Sequence, residues 1–167
     1  MSVQDMVYEK SAKDFGELLR NIQVVNRQRK FKFFRPSVAL FCANVLRSFP
    51  GGVVALSVVF VTASRMRAMN NAYLRHDYAT DVLSFSYEGT EMEGRRFLGE
   101  IIIAPEVAAS HALRYGTSPE KEICKLLVHG ILHLLGYNHE TDRGQMNRLQ
   151  KKLLRRKLLA EASLRKK

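Results

Sequence analysis

Residues 117–139, TSPEKEICKLLVHGILHLLGYNH, spell out a helix in local signals and decide how the rest of the chain is read. Thr117 followed three residues later by Glu120 is the S/T-x-x-E pattern of a capping box, and Pro119 falls in the first turn, where its missing N–H costs nothing. Ile123, Leu126, Leu127, Ile131, Leu134 and Leu135 recur at helical spacing and make one apolar stripe. The helix is expected to run to Leu135 and to stop at Gly136, which readily takes the left-handed conformation that ends many helices. Beyond it Tyr137 to Thr141 read as a loop, and Asp142 as the cap of a last helix that carries the chain to its basic end.

Upstream, strands and helices alternate. An amphipathic stretch near Ala12 to Arg20 precedes a short apolar segment, Ile22 to Val25, and Ser37 to Phe49 has helical spacing closed by Pro50, Gly51 and Gly52. Val53 to Thr62 is rich in β-branched residues and reads as a buried central strand. Ser64 to Arg75 reads as a helix, Asp81 to Tyr87 and Phe97 to Ile103 as strands, and Pro105 to Tyr115 as a further helix. No repeat, low-complexity tract or long linker divides the 167 residues, so one domain over 1–167 is expected, with a basic helical tail from about 142. With 46% apolar and 26% charged residues the chain is globular in composition, which excludes a disordered or fibrous protein. The longest nearly unbroken apolar run, Val53 to Val61, falls far short of the roughly 20 residues of a membrane span, and the first twenty residues lack an apolar signal core. The expected location is the cytoplasm. Cys42 and Cys124 are too few for a disulfide framework and are expected to be reduced, buried and apolar in role.

The chemistry lies at the end of the 117–135 helix. Residues four apart are separated by about 40° around a helix axis, so His129 and His133 project from one face, one turn apart. The turn permitted by Gly136 can swing His139 back to supply a third nitrogen. Three neutral imidazoles with an open fourth position describe a catalytic zinc site, because structural zinc is usually closed by four protein ligands with cysteine prominent. One zinc ion per chain on His129, His133 and His139 is the expectation; the apolar stripe leaves the first two on its flank, where packing does not require them. His76 and His111, isolated in sequence, read as packed or solvated residues. Zinc peptidases carry a glutamate base directly after the first histidine, and that position here is Gly130, which disfavours peptidase chemistry. A glycine there is read either as open space beside the metal for a bulky substrate such as a phosphodiester backbone, or as an aid to helix packing.

The charge names the partner class. Lys and Arg number 27 against 16 Asp and Glu, giving +11 and a pI near 10.0, as suits a polyanion. Nucleic acid is favoured over a membrane because no segment is strongly amphipathic in the manner of a surface helix. Two regions could hold RNA. Arg27 to Arg35, RQRKFKFFR, interleaves cations with Phe31, Phe33 and Phe34, which suits phosphate contacts with base stacking and equally suits a half-buried strand edge. The segment from Arg143 carries Lys151, Lys152, Arg155 and Arg156 among many cations and only Glu161 as an acid.

HGILHLLGYNH, together with TDVLSFSY (Thr80 to Tyr87) and LGEIII (Leu98 to Ile103) in the same order upstream, resembles the YbeY family of rRNA maturation factors, which are single-strand-specific endoribonucleases. The resemblance covers about Ile22 to Leu158. It implies an α+β fold with a small mixed, mostly parallel four-stranded sheet, five or six flanking helices and a zincin-like metal helix. It implies a zinc-like metal on His129, His133 and His139, and metal-dependent endonuclease activity in maturing the 3′ end of 16S rRNA and in ribosome quality control. The partners implied are rRNA and the small ribosomal subunit, with a ribosomal protein or ribosome-associated GTPase as a further candidate and no membrane.

The chain departs from the family pattern at three places. Asn138 stands where the family usually has an aspartate, and Glu100 replaces the aspartate of the LGDI block. The family's arginine, six residues before the threonine of TDVLSF, falls at Leu74, with Arg75 next to it. Asn70, Tyr73 and Asp77 keep the family spacing, so Arg75 is the candidate catalytic residue, clamping the scissile phosphate, and the alternative is a solvated charge at a helix end. A zinc peptidase-like hydrolase and a non-catalytic ribosome assembly factor with a structural metal remain as alternative functions; activity with and without a chelator discriminates them.

Overall fold

In the computed structural model, which describes residues 14–158 apart from 51–53, 88, 93 and 140, the strands gather into one mixed sheet. β1 (Ile22–Asn26), β2 (Val54–Phe60) and β5 (Arg95–Ile103) run parallel, and β3 (Val82–Ser86) lies antiparallel to β5. A two-residue β4 (Glu91–Met92) pairs antiparallel with the start of β5, and the main order is β1-β2-β5-β3. The helices are α1 (14–20), α2 (Arg35–Leu46), α3 (Ala63–Leu74), α4 (Pro105–Arg114), α5 (Pro119–Leu134) and α6 (Gln145–Leu158). This is the expected α+β architecture, with β4 as an addition. Among the described residues no helix is long and apolar enough to cross a membrane.

β2 is central because both its neighbours are parallel strands and both its faces are covered, the situation that selects β-branched residues. Val54, Leu56, Val58 and Phe60 enter the larger core with α2, α5 and α6, while Val59 and Val61 meet Met66 and Met69 of α3 on the other face. Cys42 and Cys124 are free and buried, as expected.

Gly99 sets the geometry where the sheet meets α5. Ala55 pairs with Phe97 but Leu56 pairs with Gly99, so Leu98 is the extra residue of a bulge. Gly99 has φ 149°, and a Cβ there would stand 2.2 Å from the Phe85 carbonyl oxygen and 2.7 Å from Leu134 Cδ2. Only glycine lets β3 and the end of α5 approach this closely.

Two local expectations are corrected. The α5 N-cap is Ser118, whose side chain accepts from the Lys121 N–H, and not Thr117. Pro119 is the reason: it bars the residue before it from helical dihedrals, so Ser118, at φ −90° and ψ 151°, must be the cap. The 27–35 segment is not a strand edge, and of its aromatics Phe34 stays exposed. Its turn is pinned by Gln28, which donates to the Phe31 carbonyl and accepts from the Phe31 N–H, and Phe33 stacks on Phe60 with ring centroids 4.1 Å apart.

Candidate metal centre

α5 is buried almost all round. Its less buried line is Lys121, Lys125, His129 and His133, four residues apart, so the helix that seals the core also points two imidazoles outward in register. Gly130 sits against the sheet, where a Cβ would lie 2.9 Å from Cδ1 of Ile101. Gly130 therefore does not supply open space beside the histidines. It lets α5 settle onto β5.

The end of α5 is a Schellman turn. Gly136, at φ 90°, donates to the His133 carbonyl, and Tyr137 donates to the Leu132 carbonyl, both at 3.0 Å. The reversal brings the 137–139 loop back over the helix, and Tyr137 packs near Phe49 with ring centroids 6.3 Å apart. Asp142 then accepts from the N–H groups of Gly144 and Met146 and starts α6 as expected.

These turns converge three imidazoles. Ring centroids are 4.6 Å apart for His129 and His133, 5.3 Å for His129 and His139, and 5.2 Å for His133 and His139. One ligating nitrogen from each lies within 4.8 Å of the others, and the Nε2 atoms of His129 and His133 are 3.1 Å apart. Zinc–nitrogen bonds of about 2.0–2.1 Å in tetrahedral array hold nitrogens roughly 3.3 Å apart, a spacing that the His129–His133 pair approaches. His129 and His133 are half-buried and His139 is exposed, which leaves one side of the group open to solvent. Burial pushes the His129 imidazole below its ordinary pKa of 6.5, and the neighbouring His133 and His139 push the same way against an opposing hydrogen bond to Gln150. The ring is thus neutral near neutral pH, the form a metal requires.

Several neighbours were not foreseen from sequence. Gln150 of α6 is buried and places Oε1 3.1 Å from His129 Nδ1. His111 of α4, read as an isolated residue, holds the Asp81 carboxylate at 3.1 Å and lies with Glu122 in a second polar group joining the residue before β3 to α4 and α5; Lys125 pairs with Glu122 at 2.8 Å. TDVLSFSY carried the signal for Asp81. Nothing local marked Gln150, which lies 21 residues from its partner.

Arg75 is exposed at the C-cap of α3 in the left-handed conformation, φ 60° and ψ 26°. The loop after it is held from α3, where Asn70 donates to the Tyr78 carbonyl and Arg67 makes a two-pronged pair with Asp77 at 2.8 and 2.7 Å. Lys151, Lys152 and Arg155 are exposed on α6 and line a shallow cleft of about 390 Å³ with Arg148. The Arg156 side chain lies outside the described residues.

A helix seated on a mixed sheet, with histidines at i and i+4 and a third beyond its glycine stop, defines an α+β protein whose surface could hold a metal ion by three nitrogens. The chain belongs to the YbeY family: the family model described as Endoribonuclease YbeY matches residues 22–157. It is 33% identical over 151 residues to Endoribonuclease YbeY of Thermodesulfovibrio yellowstonii, a match covering 80% of this chain and 95% of that one. It is 36% identical to the protein of the same name from Aquifex aeolicus, over 71% of this chain and 78% of the relative. A solution structure from Thermotoga maritima shares the fold with TM-score 0.57 and 26% identity, over 80% of this chain and 86% of that one.

Proposed function

We propose that the protein is a metal-dependent, single-strand-specific endoribonuclease that works in the cytoplasm on ribosomal RNA, in 16S rRNA 3′ end maturation and ribosome quality control. The observation that carries the reading is the convergence of His129, His133 and His139 on one point with an open side. Membership of a family whose relatives bear the name endoribonuclease supports the reaction class. The net charge of +11 supports a polyanionic substrate, and the small ribosomal subunit, with a ribosomal protein or GTPase of the ribosome, is the expected setting.

The three histidines would hold one Zn²⁺ per chain, which when bound supplies a Lewis acid for a phosphoryl oxygen and acidifies water for attack on phosphorus. The rest falls to the chain's own side chains. His129, kept neutral by burial, presents a nitrogen lone pair at neutral pH. Lys151, Lys152, Arg155 and Arg156 would draw the RNA backbone by its charge and fix its position, with little discrimination among bases. Arg75 would clamp the scissile phosphate through its two-pronged guanidinium. Its exposure at the end of α3 leaves the guanidinium open to a phosphate. Gly130, packed on Ile101, has no side chain to act as the base that a zinc peptidase uses at that position.

The test uses full-length protein and a single-stranded RNA spanning the 16S 3′ end, beside the same sequence as a duplex. Cleavage of the single strand only, lost on chelation and restored by Zn²⁺, is expected. Cleavage that persists after the metal is removed would overturn the metal role. A metal-loaded protein that binds small subunits without cutting RNA would make it an assembly factor.

A further inference from the structure

α6 contributes to the histidine group from its buried side. Gln150 is 8% exposed and lies between Met146 and Leu153, both packed in the core, while Arg148, Lys151, Lys152 and Arg155 occupy the exposed side of the helix. The side-chain oxygen of Gln150 stands 3.1 Å from His129 Nδ1. A carboxamide oxygen only accepts, so His129 Nδ1 must carry the hydrogen and donate it. A neutral imidazole has one such hydrogen, and His129 Nε2 is then the bare nitrogen. That is the atom 3.1 Å from His133 Nε2, at the point where the three rings meet.

We infer that Gln150 is the positioning residue of the metal centre: it fixes the tautomer and rotation of His129 so that the Nε2 lone pair faces His133 and His139. The inference rests on the metal reading above. In water the histidine ring favours hydrogen on Nε2, the wrong tautomer for ligation through that atom, so a buried acceptor behind Nδ1 removes a step that binding would otherwise have to drive. The choice of an amide has its own consequence. A carboxylate would hold the ring as well but would add negative charge behind the ligand, whereas Gln150 leaves a centre of three neutral imidazoles at full positive charge toward an anionic phosphodiester.

The test compares full-length wild type, Gln150→Leu and Gln150→Glu. Zinc affinity is measured by competition with a chelator, and exchange of the His129 Nδ1–H by NMR in the zinc-loaded proteins. Gln150→Leu keeps the size and apolar packing but has no acceptor; it should bind zinc about 10–100-fold more weakly and exchange that hydrogen faster. Gln150→Glu restores an acceptor and should bring affinity back to within a few-fold of wild type. Thermal unfolding of the same samples checks that each variant is folded. Wild-type affinity in Gln150→Leu would overturn the inference, as would equal losses in both variants, the pattern of a residue needed only for packing. A wild type that binds no zinc would instead overturn the metal reading itself, and this inference with it.

Discussion

Replacing Gly130 with alanine sets two effects of known size against each other. Alanine is favoured over glycine in a helix interior by about 1 kcal/mol, so local propensity alone predicts a more stable protein. The new Cβ would stand 2.9 Å from Cδ1 and Cγ2 of Ile101 and 3.0 Å from Cγ1, inside the ordinary carbon contact distance of about 3.5–4.0 Å. All three atoms belong to one β-branched side chain, fully buried on the inner strand β5, and it cannot turn away without displacing its neighbours. Overpacking of this kind costs about 1–3 kcal/mol, so the packing term wins and Gly130→Ala should lose about 1 kcal/mol net. Urea unfolding with an unchanged slope measures it. On an Ile101→Ala background the obstacle is gone, and the same substitution should gain about 1 kcal/mol, a coupling of roughly 2 kcal/mol between the sites. Because the strain lifts α5 from the sheet beside His129 and His133, zinc affinity should fall several-fold in the single variant and recover in the double. A stabilising Gly130→Ala in both backgrounds would refute the close-packing argument and return the glycine to the role of leaving room for substrate.

Other consequences follow from neighbouring parts of the structure. Arg75→Ala should slow single-turnover cleavage about a hundredfold at equal metal loading, with partial rescue by lysine; Arg75→Gly should slow it as much while leaving stability unchanged or raised by up to about 1 kcal/mol, since glycine relieves the left-handed backbone. Equal rates across the series would return the guanidinium to solvent. Neutralising Lys151, Lys152, Arg155 and Arg156 together should flatten the dependence of log affinity on log salt by up to about 3 units, at roughly 0.7 per phosphate contact on a single strand, and an unchanged slope would exclude α6 from the RNA path. The Glu106 carboxyl is held below its ordinary 4.5, first by the Ala63 N–H at the start of α3 and then by Lys30. Its ionised form is thus favoured in the folded state, and that stabilisation is present above 4.5 and lost as pH falls through the depressed value. Glu106→Gln should cost up to about 1 kcal/mol near neutrality, and its urea midpoint should converge with wild type in acid; a gap that stays constant with pH would contradict the assignment.

What was legible in the sequence is what short-range chemistry decides. The apolar stripe, the glycine stop and the i, i+4 histidines of α5 each depend on residues within a turn or two, and they came out in place. So did β2, whose β-branched run reflects burial on both faces. The cap of the same helix slipped by one residue because two local signals competed, a capping box starting at Thr117 and the restriction that Pro119 imposes on Ser118, and the steric one prevails. The polar turn before β5 concealed β4, which exists only through pairing with that strand. In the 27–35 loop part of the composition that suits RNA also serves the fold, with Phe33 on Phe60 and Lys30 on Glu106, contacts that only the tertiary structure brings about. Gln150 and the Asp81–His111 pair are invisible to periodicity because their partners come from other elements of the fold.

The central claim is that three histidines hold the ion on which RNA cleavage depends. Metal content per chain, measured beside single-turnover cleavage of one single-stranded RNA for wild type, His129→Ala, His133→Ala and His139→Ala, tests it most directly. The account predicts about one zinc ion per wild-type chain, and metal content and cleavage falling together in each variant while the fold persists, because all three rings lie outside the apolar stripe of α5. Full metal content in any one variant, or undiminished cleavage by a variant that has lost its metal, would contradict it.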